Sequence, residues 1–305
     1  MQHILVTGGA GFIGSHTVET LLAAGLAVTV LDNLSSGARK NLPDDSRLQL
    51  IAADICDQSA VNAAMVGVDA VLHLAAQVSV QTSIEHPVES ARTNIQGFLH
   101  VLDSARQAGV RRVVYASSAA VYGVPQQLPV MEQAPACPLS PYGLEKSVND
   151  QYAALYHDLY GLSCLGLRYF NVYGPRQDPG SQYAGVISKF NEAARSGCRL
   201  NIFGDGMQTR DFIYVGDVAR ANLAALTASL QGVCNIGTGQ SVTLLQMVQA
   251  LRDVTGCPLP VDHHPARAGD IRDSCAMVAR MRHQLGFEAK VPLVDGLAQL
   301  WASLT

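Results

Sequence analysis

The sequence predicts an α/β protein whose centre is a doubly wound parallel sheet. Three observations carry that expectation. Short β-branched runs alternate strictly with longer helical stretches through the first half of the chain, a glycine-rich turn joins the first run to the first helix, and after about Asn171 the rhythm gives way to loops between shorter helices. Strict alternation implies βαβ units with right-handed crossovers and helices on both faces.

The runs His3 to Thr7, Ala27 to Asp32, Leu48 to Ile51, Ala70 to Leu74, Arg112 to Ala116 and Ser163 to Arg168 read as strands. Helices are expected near Ile13 to Ala24, Ser59 to Val66, Val88 to Ala108 and Tyr142 to Tyr160, the last announced by Ser140-Pro141. Beyond Asn171 the loops Tyr173 to Tyr183, Gly204 to Asp211 and His263 to Asp273 are rich in Gly, Pro and Gln, which suits a smaller lobe that supplies binding loops. Val233 to Ile236 reads as a short strand that returns to the main sheet. In such a sheet a ligand sits at the carboxyl ends of the strands.

With 305 residues, 48% of them hydrophobic and 15% charged, the chain is neither disordered nor a long charged coil. Lys+Arg 21 against Asp+Glu 25 leaves a net charge of −4, which argues against a broad nucleic-acid or acidic-membrane surface. An anionic ligand must therefore meet a few placed groups. No stretch approaches 18 uninterrupted apolar residues and no signal-type leader opens the sequence, so a soluble cytoplasmic protein is expected. The seven scattered cysteines contain no C-x-x-C pair for zinc or redox work, so no metal is expected and the thiols read as reduced.

The first strand runs into Gly8-Gly9-Ala10-Gly11-Phe12-Ile13-Gly14, and glycines at 8, 11 and 14 fit G-x-x-G-x-x-G. Such a turn brings bare backbone and a helix N-terminus up to a pyrophosphate. Asp32 ends the second strand 18 residues beyond Gly14, where a carboxylate accepts from ribose hydroxyls and repels a 2′-phosphate. NAD is the cofactor this favours over NADP. Asp54-Ile55 follows the third strand, placed to meet an adenine, and small residues follow Leu74 at Ala75 and Ala76. His73 reads as a packed, hydrogen-bonded core histidine.

Tyr142 and Lys146 form Y-x-x-x-K, and the i, i+4 spacing sets both side chains on one helix face. Ten tyrosines and four lysines give about 0.13 such pairs by chance in a chain this long. A phenol of ordinary pKa near 10 is a poor base at neutral pH, and a neighbouring cation brings it into range. The fifth strand ends near Ser117 and Ser118, on the side where the tyrosine helix begins; Ser118 can share the proton of a reacting hydroxyl or cap a loop.

In combination these segments resemble the extended short-chain dehydrogenase/reductase family and, within it, the nucleotide-sugar 4-epimerases. The resemblance runs through T-G-G-A-G-F-I-G (7–14), A-S-S-A-A-V-Y-G (116–123), P-Y-G-L-E-K (141–146), L-R-Y-F-N-V-Y-G-P-R (167–176), T-R-D-F-I-Y-V-G-D-V (209–218) and R-A-G-D-I-R-D-S (267–274). It implies a Rossmann-type NAD-binding domain over 1–170 and a substrate-binding lobe over 171–305, interleaved because 233–237 returns to the sheet. It also implies that Asn33, Asn94 and Tyr169 join the cofactor site. The family's 4,6-dehydratases carry an acidic pair before V-Y-G, where this chain has Ala119-Ala120, so oxidation and re-reduction at one carbon remain.

On the family mechanism, phenolate Tyr142 takes the 4-OH proton while the C4 hydride passes to NAD. Lys146 lowers the tyrosine pKa and holds the nicotinamide ribose, and Ser118 bridges the 4-oxygen. The resemblance assigns the diphosphate to Arg210 and Arg267 with Asn171 beside them. It assigns the uracil to Phe203 and to backbone groups of Ala184 to Val186, and the ribose hydroxyls to Asp270. Family members confined to UDP-glucose carry a bulky Tyr where this chain has Ser274, and often a Lys at Val78. Small Ser274 implies that an N-acetyl group fits, hence interconversion of UDP-GlcNAc and UDP-GalNAc. UDP-glucose, UDP-glucuronate and a non-catalytic NAD-binding role are the alternatives. The helices from Asn94 to Ala108 and from Tyr142 to Tyr160 match those that family members use in a four-helix homodimer contact, though packing within one chain explains their composition as well.

Overall fold

The computed structural model describes residues 1–177, 186–266 and 271–304; the side chains of Val186 and Lys189 fall outside this description. Thirteen strands and eleven helices are numbered in chain order within these limits.

The strands of the first half are β1 (His3–Thr7), β2 (Ala27–Asp32), β3 (Leu48–Ala52), β4 (Ala70–His73), β5 (Arg112–Ser118) and β6 (Ser163–Tyr169). After them come β7 (Asn171–Tyr173), β8 (Leu200–Phe203), β9 (Thr209–Arg210), β10 (Phe212–Tyr214), β11 (Gly232–Ile236), β12 (Val242–Thr243) and β13 (Val261–His264). The helices are α1 (Phe12–Ala23), α2 (Gln58–Ala64), α3 (Val80–Glu85), α4 (Pro87–Ala91), α5 (Phe98–Gln107), α6 (Pro141–Tyr160), α7 (Val186–Ser196), α8 (Val215–Thr227), α9 (Leu244–Thr255), α10 (Ala279–His283) and α11 (Leu293–Ala302).

The central sheet has seven strands in the order β11-β6-β5-β4-β1-β2-β3, every pairing parallel. The expected return of the late strand is present: Cys234 stands opposite Leu167 at the β6 edge. The order reverses at β1, which places the switch point between β1 and β4, above the glycine turn. One face of the sheet packs Ile4, Val6 and Val30 against α1 and α8; the other packs Leu5, Val71 and Val113 against α2, α5 and α6. A third cluster around Ile202, Phe212, Met247 and Leu297 is the core of the C-terminal lobe.

Among the described residues α2, α3, α6 and α9 each begin on a side-chain cap. Ser140 Oγ accepts from Gly143 N–H at 3.2 Å at the start of α6, Pro141 fills its first turn, and Gly161 closes it in the left-handed conformation. The expected single helix from Val88 to Ala108 is instead α4 and α5 separated by one wide π-type turn, Arg92–Gly97. An additional short helix, α3, precedes it. Both departures bring polar side chains of the 80–97 segment onto α6, as described below. Among the described residues no helix is long and apolar enough to cross a membrane. All seven cysteines are free thiols.

Candidate active site

The turn after β1 is held too tightly for side chains. Gly8 has φ +68°, and a Cβ on it would stand 2.6 Å from Ala75 N; a Cβ on Gly14 would stand 2.1 Å from the Gly8 carbonyl. No side chain caps the N-terminus of α1 at Gly11, so the N–H groups of Phe12, Ile13 and Gly14 face the strand ends. Asp32 has a structural duty that its sequence position did not announce. One carboxylate oxygen accepts from Ala10 N–H at 2.9 Å and the other from Leu34 N–H at 2.8 Å, tying the glycine turn to the end of β2.

Asn33 donates through its amide to Asp54 at 2.9 Å, so these two candidates meet at the neighbouring ends of β2 and β3. Burial works against the Asp54 carboxylate, yet hydrogen bonds from Cys56 N–H and Asn33 hold its pKa below the ordinary value. Ile55 is buried beneath it. Leu74 and Ala75 follow β4, where Leu74 N–H reaches Thr7 O and Ala75 N–H reaches Thr7 Oγ1. His73 is a core histidine as expected, 2% exposed with Thr7 Oγ1 2.8 Å from Nδ1, and burial pushes its pKa down to about 3.

Tyr142 opens α6 with its N–H donated to Ser83 Oγ at 3.1 Å. Ser83 lies in α3 and is fully buried, so the short helix that the sequence did not reveal sets the start of the tyrosine helix. Ser117 and Ser118 end β5, and Ser118 Oγ accepts from Ala120 N–H at 3.1 Å, which leaves its hydroxyl hydrogen for another partner. Burial raises the Tyr142 pKa; a hydrogen bond with Ser118 opposes this, and the Glu145 carboxylate adds to it. The Lys146 ammonium is 2% exposed, 5.8 Å from the centre of the Tyr142 ring, and donates to the Ala116 carbonyl at 2.9 Å. Burial pushes its pKa down to about 8, while Asp150 and Glu145 support its charge. The ammonium therefore lies beside the Tyr142 ring while it is bonded to a main-chain carbonyl of β5.

Two further candidates have their side-chain polar groups bonded within the chain. Asn94, in the π-type turn, spends its amide on Gln77 and Glu145. Tyr169 sends its hydroxyl to Asn222 Oδ1 of α8 at 2.6 Å, on the face of the sheet that packs α1. The sequence reading also passed over Asp150, which sits one turn past Lys146. Its carboxylate accepts two N–H groups of Arg168, at 2.9 and 3.0 Å, and the Tyr115 hydroxyl at 3.0 Å. The stripe 142, 146, 150 at helical spacing is the signal that identifies it.

On the lobe side, Arg210 in β9 donates to Thr209 O at 2.7 Å and Arg272 O at 3.1 Å. Ser274 is half-buried between two pinned neighbours: Asp273 accepts from Thr209 Oγ1 at 2.8 Å, and Cys275 O accepts from Val130 N–H at 2.8 Å. A cavity of about 270 Å³ reaches Arg272 and Asp273 and is lined across from them by Val124, Pro125 and Leu128 among others. Phe203 ends β8 with its ring 5.3 Å from that of His264, and Asn171 begins β7, exposed, with its N–H on Asp211 O at 3.0 Å. Val78 is exposed. Arg267, Asp270 and Ala184 lie outside the described residues, and of Val186 only the backbone at the start of α7 is described. Among the described residues no cluster of His, Cys, Asp and Glu is arranged to hold a metal ion.

The model of the NAD dependent epimerase/dehydratase family matches residues 4–237. The chain belongs to this family. Among its relatives is a UDP-glucose 4-epimerase of Mycolicibacterium smegmatis, 40% identical over 97% of this chain and 96% of that protein. Among solved structures, the UDP-N-acetylglucosamine 4-epimerase from Methanobrevibacter ruminantium M1 in complex with UDP-N-acetylmuramic acid superposes with a TM-score of 0.96 at 36% identity, covering 99% of this chain and 98% of that one. The Thermus thermophilus UDP-glucose 4-epimerase in complex with NAD has a TM-score of 0.91 at 39% identity, with the same coverage. The dinucleotide that the family description names fits the turn measured above, where any side chain at position 8 or 14 would occupy backbone space.

Proposed function

We propose that the chain is an NAD-dependent UDP-sugar 4-epimerase and that, within this class, it interconverts UDP-N-acetylglucosamine and UDP-N-acetylgalactosamine. The convergence of Tyr142, Lys146 and Ser118 at the carboxyl end of β5, beside Ala119-Ala120 with no acid or base of their own, carries the reaction class. Related proteins bearing both UDP-glucose and UDP-N-acetylglucosamine epimerase names support the UDP-sugar class. The N-acetyl substrate rests on small Ser274.

Tyr142 accepts the proton of the sugar 4-OH and later returns it, since a base poised at a reacting hydroxyl must reverse its role when the ketone is reduced. The chemistry supplied by bound NAD is reversible hydride acceptance at C4. Ser118 donates its hydroxyl hydrogen toward the 4-oxygen. Lys146 keeps a positive charge beneath the phenol, held by the Ala116 carbonyl. Gly8, Gly11 and Gly14 admit the pyrophosphate, with Phe12 and Ile13 offering N–H groups and Asp32, Asn33 and Asp54 the polar edge for the adenosine. Arg210 and Arg267, with Asn171, neutralise the substrate diphosphate, which a chain of net charge −4 needs done locally. Phe203 packs on the uracil, backbone of 184–186 reads its edge, and Asp270 takes the ribose.

Residues 1–170 and 171–305 act as cofactor and substrate lobes. The outward residues Leu144, Leu155, Leu159 and Tyr160 of α6 are exposed and suit a homodimer contact, which sedimentation would test. Incubating the purified protein with UDP-GlcNAc, UDP-glucose and UDP-glucuronate and identifying products by proton NMR tests the reading. UDP-GalNAc should form; turnover of UDP-glucose alone would return the substrate assignment to the plain hexose.

A further inference from the structure

A buried carboxyl group lies within the proposed catalytic motif and takes no part in the mechanism above. Glu145 stands between Tyr142 and Lys146 in sequence, three residues on from the tyrosine, and is 3% exposed. Its Oε2 accepts from Ser90 Oγ of α4 at 2.8 Å and from Asn94 Nδ2 of the π-type turn at 2.6 Å. The same Asn94 amide donates to Gln77 O at 2.8 Å and accepts from Gln77 N–H at 2.9 Å. A carboxylate in the tyrosine helix is thereby linked, through one side chain, to the segment after β4 against which Gly8 packs.

We propose that Glu145 is a positioning residue for Tyr142 and Lys146: it fastens the 90–94 segment to the catalytic helix, and its carboxylate biases that pair toward the protonated forms. Two carboxylates, Glu145 and Asp150, then bracket one buried ammonium. They are not equivalent. Asp150, the stronger support of the ammonium, is engaged by the Arg168 guanidinium and the Tyr115 hydroxyl, whereas the two donors described for Glu145 are neutral. A negative charge there favours the ammonium and disfavours the phenolate, in agreement with the direction in which Glu145 acts on both groups. The other ionisable groups packed nearby are accounted for. His73 of β4 is buried and neutral, Tyr122 is bonded to Arg168 and Asn235, and Glu85 of α3, Glu89 of α4 and Arg92 are exposed.

This inference rests on the reading of Tyr142 and Lys146 as the catalytic pair, and its test separates the two. The chain contains only four lysines, so Lys146 can be followed by carbon-13 NMR of Cε-labelled lysine in the holoenzyme, its resonance assigned with Lys146→Arg. Glu145→Gln and Glu145→Ala, two neutral variants of different size, should titrate Lys146 at lower pH than wild type, and Glu145→Asp should titrate it where wild type does. The two limbs of the pH–rate profile should move together to lower pH in the neutral variants. An unchanged Lys146 midpoint in whichever neutral variants fold, or the same shift in Glu145→Asp, would overturn the proposal, even where activity falls. Full activity of Tyr142→Phe would instead sink the assignment of the pair, whatever the Lys146 midpoint does.

Discussion

Lys146 reaches from the middle of one βα unit into the sheet itself, its Nζ donating to the Ala116 carbonyl at 2.9 Å. An ammonium so placed is short of water and close to losing its proton, with a pKa near 8. If its charge is needed in turnover, activity falls as pH rises through about 8. Stability moves the other way: between about pH 8 and the ordinary lysine value near 10.4 the unfolded chain holds a proton that the folded one has released, so this group adds stability as pH increases. Rate and urea-unfolding measurements at pH 7 to 9.5 should therefore diverge. Tyr142→Phe should lose roughly 10²- to 10⁴-fold in turnover at every pH.

His73 acts in the same sense in an acidic window. Its folded pKa, about 3, lies below the ordinary 6.5, so the unfolded chain alone takes a proton between those limits. Stability should decline as pH drops from 6.5, at up to about 1.4 kcal/mol per pH unit from this one group. Replacing it by Asn should flatten that portion of the stability curve measured in urea.

Gly14→Ala would drive a methyl group into the Gly8 carbonyl, since a Cβ there lies 2.1 Å from it. Backbone must give way, at a cost of about 1–3 kcal/mol. The variant should unfold at lower temperature and release far less NAD on denaturation than wild type; undiminished NAD content would show that the turn tolerates the shift.

Ser274→Tyr should cut turnover of UDP-GlcNAc by an order of magnitude or more and spare UDP-glucose, because Asp273 and Cys275 hold position 274 in place. A tyrosine cannot swing clear of the sugar by moving its backbone. Equal rates with both substrates in the two proteins would remove residue 274 as a steric gate.

Much of the fold was legible because parallel strands buried on both faces read as β-branched runs, and because the glycine turn has few other uses. The same burial hid the direction of Tyr169. In a strand with apolar neighbours on both sides, no alternation says which face a side chain meets, and its hydroxyl turned out to serve α8. The Val80–Glu85 helix was unreadable for a different reason. Its only apolar pair, Val80 and Ile84, is exposed, and it is fixed by Ser79 capping Thr82 N–H and by Ser83 meeting α6. The grip of Asp32 on Ala10 depends on two chain segments meeting and has no local signature. Glu145 was quoted within a motif and passed over; its i, i+3 spacing from Tyr142 was the available clue.

The position of β11 at the edge of the main sheet bears on how the chain is made. A ribosome that has delivered everything up to Tyr169 has released six of the seven strands, but β6 still presents an unpaired row of backbone groups, and the face that α8 covers is open. Unpaired edges and bare apolar faces are the surfaces on which nascent chains aggregate. The sheet can close only after Ile236 emerges, so the segment that joins β6 to β11 must be synthesised before the first half of the protein is safe from its neighbours.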